Sequence, residues 1–311
     1  MIISVVMAVY NGKLYFRKQM QSILEQELMV DEVIIVDDCS TEKVCSEINE
    51  FRARFPRTKI KYFEHKDNKG YAQTFFEALK HASGNIIFLS DQDDIWLPNK
   101  TNQMTDVLAA NKNISCLSSR NIIIDKDGIV VKWEPELSKD LEKVELVDLI
   151  TQTKIRPGMS LAITKELRDK IISYDIEKFV MHDRFIELVA CIEDGFYLVN
   201  EFLTKYRIHG ENTSGMNLTK TKLRSNRVGR IKQIDKELSY FTTVFESGLN
   251  ITPELEKIIK KQSEFYVYRK EMLKTGFIRY LVRSIRIANC YHNKNIWLGD
   301  CLSLLLEKRI V

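Results

Sequence analysis

The sequence predicts an α/β protein: a mostly parallel sheet flanked by helices, with a helical appendage at the C-terminal end. Three observations carry that expectation. Short apolar runs alternate with segments of helical spacing through residues 1–90, the pattern of strands buried on both faces by crossover helices. Polar clusters follow the runs that end at Val9, Val36 and Leu89, where such sheets hold their ligands. From Met216 onward the periodicity is helical to the end.

The elements follow in order. Ile2–Val9 reads as a buried strand, broken by Asn11-Gly12, and Leu14–Glu27 has helical spacing. Asp31–Val36 is a second strand, ended by Asp37-Asp38-Cys39-Ser40. Lys43–Phe55 is a helix stopped before Pro56, because a residue ahead of proline is pushed out of the helical region. Ile60–Glu64, a helix over Tyr71–Ala82, and a strand over Gly84–Ser90 complete this half. After Asp94 the pattern is mixed. Lys100–Ala110 reads as a helix, Ser115–Ile124 and Ile129–Trp133 as a hairpin around Asp125-Lys126-Asp127-Gly128, and Leu146–Thr151 as a short helix. Pro157-Gly158 opens a loop before Leu161-Ala162-Ile163, and Asp183–Ile192 is helical. Breaks near Asn250–Pro253 and Asn289–Asn295 divide the tail. The expected organisation is a catalytic region over 1–215, with halves 1–97 and 98–215, and a basic helical region over 216–311.

Composition narrows the class. A chain of 311 residues with 44% hydrophobic content can bury a large core. The net charge of +4 is unevenly spread: residues 216–311 carry 19 Lys/Arg against 9 Asp/Glu, the rest 28 against 34. A basic tail suits an acidic surface such as membrane lipid. Nucleic acid is not expected, since no base-stacking or recognition motif accompanies the charge. The six cysteines (Cys39, Cys45, Cys116, Cys191, Cys290 and Cys301) form no CxxC pair, so neither a zinc site nor a disulfide framework is indicated. A reducing cytoplasm is the simplest reading. Neither a signal peptide nor a membrane-spanning run is expected.

The strongest chemical signal is Ser90-Asp91-Gln92-Asp93-Asp94-Ile95-Trp96. Three carboxylates in four residues at a strand's end repel one another unless a cation sits among them, and carboxylate oxygens are hard ligands that suit Mg2+ or Mn2+. The plain alternative is a solvated acidic turn; the cluster's place at the sheet's ligand edge favours the metal. At Val36-Asp37-Asp38-Cys39-Ser40-Thr41 a strand-end carboxylate can accept hydrogen bonds from a base or ribose, or Ser40 or Thr41 simply caps the next helix. Tyr10 can stack on a base or be an ordinary turn residue.

Taken in order, four segments resemble family 2 glycosyltransferases of the GT-A fold: Ala8-Val9-Tyr10-Asn11, Val36–Thr41, Asn68-Lys69-Gly70 and Asp91–Trp96. The acidic run followed by Ile-Trp resembles the bacterial rhamnosyltransferase-like branch. The likeness continues through Gly158-Met159-Ser160-Leu161-Ala162-Ile163, His182-Asp183 and Tyr206–Gly215. It implies that Ala8, Tyr10 and Asp38 line the pocket for a pyrimidine base, supported by Asp37, with Lys69-Gly70 beside the nucleotide. Asp91 and Asp93 match the Asp-x-Asp motif, Asp93 being the better direct metal contact. Asp183 matches the catalytic base, although from the residues alone a helix N-cap is an equal reading. His209 would reach the diphosphate or the metal, and Arg207 would add a cation there. Gly210 and Gly215 would let that loop close over the donor. Asp94 and Trp96 would complete the donor and acceptor loop, and Gly158, Met159 and Ser160 the floor of the acceptor pocket. Two departures stand out. The family places Gly where Cys39 stands, and an acidic pair where His182-Asp183 leaves one carboxylate.

The activity so implied is inverting, metal-dependent transfer of a sugar from a nucleotide-diphosphate donor to a bacterial surface glycan or lipid-linked acceptor, with dTDP-rhamnose first among donors. A UDP-hexose or UDP-N-acetylhexosamine donor is the near alternative; a nucleotidyltransferase and a non-catalytic nucleotide-sugar module are the distant ones. In the tail, Ile278, Leu281, Val282 and Ile285 share a helical face flanked by Arg279, Arg283 and Arg286. That stripe suits packing on protein, including a homodimer through these helices, and is compatible with peripheral contact at the inner face of the membrane.

Overall fold

The computed structural model describes residues 1–134, 136–154, 156–209, 227–275 and 294–306. It divides into two compact units, one of residues 1–145 and 155–209, the other of 146–154 and 210–311.

The first unit is built on a ten-stranded sheet. Its first half matches the expected alternation. β1 (Ile3–Val9), α1 (Lys13–Leu24), β2 (Glu32–Asp37), α2 (Cys45–Arg54), β3 (Lys59–Glu64), α3 (Tyr71–His81) and β4 (Ile86–Ser90) succeed one another. β1 lies between β2 and β4, and β2 pairs with β3, all parallel. β2 and β4 are buried along their whole length, because helices cover both faces. This explains why their sequences are continuous apolar runs rather than alternating ones.

The second half is mixed. β5 (Ile95–Trp96), α4 (Lys100–Ala110), β6 (Cys116–Ile124), β7 (Val130–Trp133) and β8 (Leu141–Lys143) lead to β9 (Leu161–Thr164). The helix over Leu146–Ile150, α5, belongs to the second unit. After β9 come α6 (Lys165–Ile171), α7 (His182–Ile192) and β10 (Phe196–Arg207). The strand order is β3-β2-β1-β4-β9-β6-β10-β5, with β7 on β6 and β8 on β10. β9 is antiparallel to both neighbours, whereas β6 and β10 are parallel. The expected hairpin forms as β6 and β7. The sequence pattern offered no expectation for β10. Its register slips between Leu198 and Thr204, and a bulge puts an extra residue into the period-two alternation that marks a strand.

The second unit, among its described residues, is helical: α5, α8 (Arg227–Glu246), α9 (Pro253–Thr275) and α10 (Lys294–Leu306). Ile234, Phe241, Val244, Leu255, Ile259, Met272 and Leu273 are buried in it. Asp300, fully buried, accepts from Arg230 Nη1 at 2.9 Å and Arg269 Nη2 at 3.1 Å. No described helix is long and apolar enough to cross a membrane. The basic stripe over 278–287 and the glycines at 210 and 215 lie outside the described residues.

Candidate active site

Because β1 pairs in parallel with both β2 and β4, the loops leaving their carboxyl ends share one edge of the sheet. Asp91–Asp94 turn out of β4 into β5. A carboxylate oxygen from each of Asp91, Asp93 and Asp94 lies within 4.8 Å of the others. Gln92 fastens this run to the end of β1. Its Nε2 donates to the Tyr10 carbonyl and its Oε1 accepts from the Tyr10 N–H, both at 2.9 Å. Gly12 leaves room for that clamp, since a Cβ there would stand 2.0 Å from Gln92 Oε1.

The backbone N–H of Arg207 donates to Asp94 Oδ1 at 2.8 Å, while Asp94 Oδ2 is buried without a hydrogen-bond partner. His209 Nε2 stands 2.7 Å from Asp93 Oδ2. Burial, then the charges of Asp93 and Asp183, pushes Asp91 up to about 8. Burial, then Asp93 and Asp91, pushes Asp94 well above the usual carboxylate range. A cation among these oxygens would relieve the crowding that raises Asp91 and Asp94.

The nucleotide-side residues are held tightly. Asp38 is buried, and its Oδ1 accepts from the Lys69 N–H at 2.7 Å and faces His65 Nδ1 at 2.9 Å. Its Oδ2 accepts from the Gly70 N–H at 2.8 Å. Asp38 thus shapes the 65–70 loop in front of α3. Asp37 accepts from the Ser40 N–H and the Tyr62 hydroxyl, bracing the strand end. Ala8 is partly covered, while Tyr10 is 50% exposed. Cys39 adopts φ +63, a left-handed conformation that disfavours any side chain. That is the physical reason a glycine suits this position.

On the other side, Asp183 lies in the first turn of α7 and is half-buried. The helix is capped at Met181 with no side-chain cap, so Asp183 does not act as its N-cap. Among the described residues, the Asp183 carboxylate accepts one bond, a local one from the Arg184 N–H at 2.8 Å. His182 is buried, stacked on Phe75 at 3.9 Å, and neither ring nitrogen has a partner. Burial lowers its pKa to about 4, against the attraction of Asp183. Gly158 packs against both, since a Cβ there would stand 2.9 Å from His182 Nε2 and 3.3 Å from Asp183 Cβ. Met159 and Ser160 are fully buried beneath it, Ser160 Oγ bonding the Pro157 carbonyl.

Two expected placements are corrected. Trp96 does not line an open loop. Pairing of β5 with β10 draws it into the core, 2% exposed, against Phe88. Arg207 does not offer its charge to a diphosphate. It is 1% exposed; its Nε donates to the Asp93 carbonyl, its Nη1 to those of Asp125 and Lys126, and it lies over the Tyr15 ring.

Two residues escaped the sequence reading. Lys100 is fully buried, donating to the Met159 carbonyl at 2.6 Å and Thr204 Oγ1 at 2.9 Å, with Nζ 4.1 Å from the Trp96 ring centroid. Burial lowers its pKa to about 7 against the pull of Asp94 and Asp91. A lysine opening a helix runs against the dipole, and that mismatch was its one local sign. Tyr71, edge-on to His182 at 5.8 Å, has its phenol raised to about 12 by burial, then by Asp183 and Asp91. Its phenol thus feels the charge of both acidic groups.

Comparison with known proteins agrees with this geometry. The family model described as glycosyl transferase family 2 matches residues 4–171. The dTDP-rhamnosyl transferase RfbG of Shigella flexneri is 26% identical over 274 residues, 81% of this chain and 88% of its own. The S. aureus TarS structure in complex with UDP-GlcNAc superposes with a TM-score of 0.59 at 16% identity, over 96% of this chain and 90% of that one. The mannosyltransferase PcManGT from Pyrobaculum calidifontis, in complex with GDP-Man and Mn2+, gives 0.55 at 16%, over 99% and 88%. Both structures show the GT-A fold.

Proposed function

This chain belongs to glycosyl transferase family 2, and we propose that it is an inverting, metal-dependent transferase that moves rhamnose from dTDP-rhamnose onto a bacterial surface-polysaccharide or lipid-linked glycan. One observation carries the reading: an acidic trio at the end of β4 and a single carboxylate in the first turn of α7 come close enough that the Asp183 charge adds to burial and Asp93 in raising Asp91.

The trio fits a divalent ion. It offers clustered hard oxygens, one of them a buried orphan on Asp94, and Asp93 and Asp91 are the proposed ligands with His209 beside them. A bound Mg2+ or Mn2+ would neutralise the diphosphate as the glycosidic bond breaks. The remaining work falls to the chain. Asp38, braced by Asp37, holds the Lys69-Gly70 loop that borders the nucleotide with Ala8 and Tyr10. Asp183 takes the proton from the attacking acceptor hydroxyl. Attack from its side, opposite the leaving group, inverts the anomeric carbon. The buried, neutral His182 and Gly158 set the position of Asp183. The rhamnosyl transferase relative supports the donor. A UDP-hexose or UDP-N-acetylhexosamine donor is the second reading, supported by UDP-GlcNAc bound on the same fold. The proposed setting is the cytoplasm, with a lipid-linked acceptor reached at the inner face of the membrane.

Asp183→Asn tests the assignment. Transfer should fall by about 10²–10⁴-fold, while the thermal shift produced by donor and Mn2+ persists, since a donor that binds only the folded state raises stability. Undiminished transfer would remove Asp183 as base. If neither dTDP- nor UDP-sugars shift the wild type with Mg2+ or Mn2+ present, the donor reading fails.

A further inference from the structure

Outside the catalytic edge, the hairpin of β6 and β7 shows an arrangement the reaction does not use. Its second strand and the residue before it present Ile129, Val130, Val131 and Trp133 at 65%, 44%, 46% and 55% exposure. Several exposed apolar side chains on one short strand point to an interaction surface. Trp133 is also the end of a built stack. It meets Phe202 at 4.9 Å, nearly perpendicular, and the Arg120 guanidinium lies 3.6 Å over Phe202. Arg120 is fixed by Asn200 Oδ1 at 2.8 Å and the Glu134 carbonyl at 2.7 Å. Glu134 in turn accepts from the Asn121 N–H. The indole therefore packs nearly perpendicular to a Phe202 ring held under a fixed Arg120, and stays 55% exposed.

The ribbon is tied to the reaction edge. Arg207 Nη1 donates to the carbonyls of Asp125 and Lys126 at the hairpin turn, and its Nε to that of Asp93. Trp133 pairs with Ile122, two residues before Ile124, which pairs with Arg207. At strand rise that is about 7 Å along β6.

We propose that the Trp133 ribbon is a platform for the acceptor glycan, the indole stacking on the apolar C–H face of a pyranose ring beyond the one that is glycosylated. This rests on the transferase reading above. Chemistry selects the occupant. A sugar ring has an apolar C–H face that an exposed indole can stack on, and an acceptor glycan must lie beside the reaction edge to which this ribbon is tied. Between residues 125 and 133, Asp125 and Asp127 match Lys126 and Lys132, so the ribbon has no basic excess to draw it to an anionic bilayer.

The test applies wild type, Trp133→Ala and Trp133→Phe to a printed array of bacterial surface oligosaccharides. A parallel arm uses phosphatidylglycerol vesicles, and a third measures oligomeric state. Oligosaccharide binding by the wild type that falls at least tenfold in Trp133→Ala and is largely kept in Trp133→Phe is the expected result. Where a bound glycan is also an acceptor, its KM should rise in Trp133→Ala with kcat unchanged. Binding to no oligosaccharide, or equal binding by the Ala variant, overturns the proposal. So does a Trp133-dependent loss of vesicle binding or of a dimer instead. The thermal shift with Mn2+ and nucleotide sugar reports separately on the donor reading, which Trp133 does not touch.

Discussion

The two acidic groups at the sheet edge are built in opposite ways. The Asp91–Asp94 run is over-determined. Gln92, the Arg207 backbone and side chain, and His209 all fasten it, and its carboxylates are forced together at the expense of their ionisation. Asp183 lies in the first turn of a helix, with one local hydrogen bond among the described residues, Gly158 packed against it and the buried His182 beside it in the chain. The first arrangement has a standing demand for positive charge. The second sets a carboxylate in the first turn of a helix, where the dipole favours an anion, with one local hydrogen bond among the described residues. The contrast is what a displacement reaction asks of its two sides, one to hold the departing charge and one to receive a proton.

That contrast can be broken from either side. Asp93→Ala should have the largest effect. Turnover should fall by about 10³-fold or more, of the order of the charge stabilisation a bound metal supplies, and the Mn2+-dependent thermal shift should vanish. The Asp183 variant keeps that shift. Equal loss of metal binding in both variants would erase the distinction between the groups.

The Asp183 side also has a pH signature. His182 has its folded pKa lowered from 6.5 to about 4. The unfolded chain therefore takes up a proton that the folded one refuses. Stability is present above the unfolded value and is lost as pH falls from 6.5 towards 4, by at most about 3 kcal/mol. Urea unfolding at pH 7 and pH 4.5 should show that loss in the wild type and a smaller one in His182→Gln. An identical pH dependence in both would assign the loss to other groups.

Gly158→Ala sharpens the comparison by moving only one side. The added Cβ meets His182 and Asp183, and a displacement of about 1 Å at a reacting group can cost about 100-fold in rate. Transfer should drop while the metal-dependent shift is unchanged. Lys100→Met is the mildest change. It removes two charge-assisted bonds that join β10 to the Gly158–Ser160 turn, and should lower stability by about 2 kcal/mol in thermal or urea unfolding. A variant as stable as wild type would show that Lys100 binds nothing together.

Much of the fold was legible because burial leaves a pattern. β1, β2 and β4 are covered on both faces, so their sequences are unbroken apolar runs, and the loops after them carry the acidic residues. β10 was not legible, because its slipped register destroys the alternation. Trp96 and Arg207 looked like site residues from their neighbours in the chain. Only the pairing of β5 with β10 shows that one is core and the other a tie between loops.

The sequence by itself determined the alternating strands and helices, the acidic run at the end of β4 and the carboxylate at the start of α7, since each depends on residues near in the chain. The tertiary structure alone decided which of these meet. Lys100 bonded to Met159 and Thr204, Tyr71 against His182, Gly158 against Asp183 and Arg120 over Phe202 all join segments far apart in sequence. Such contacts follow from strand order and helix packing, which act over distances that no local pattern encodes.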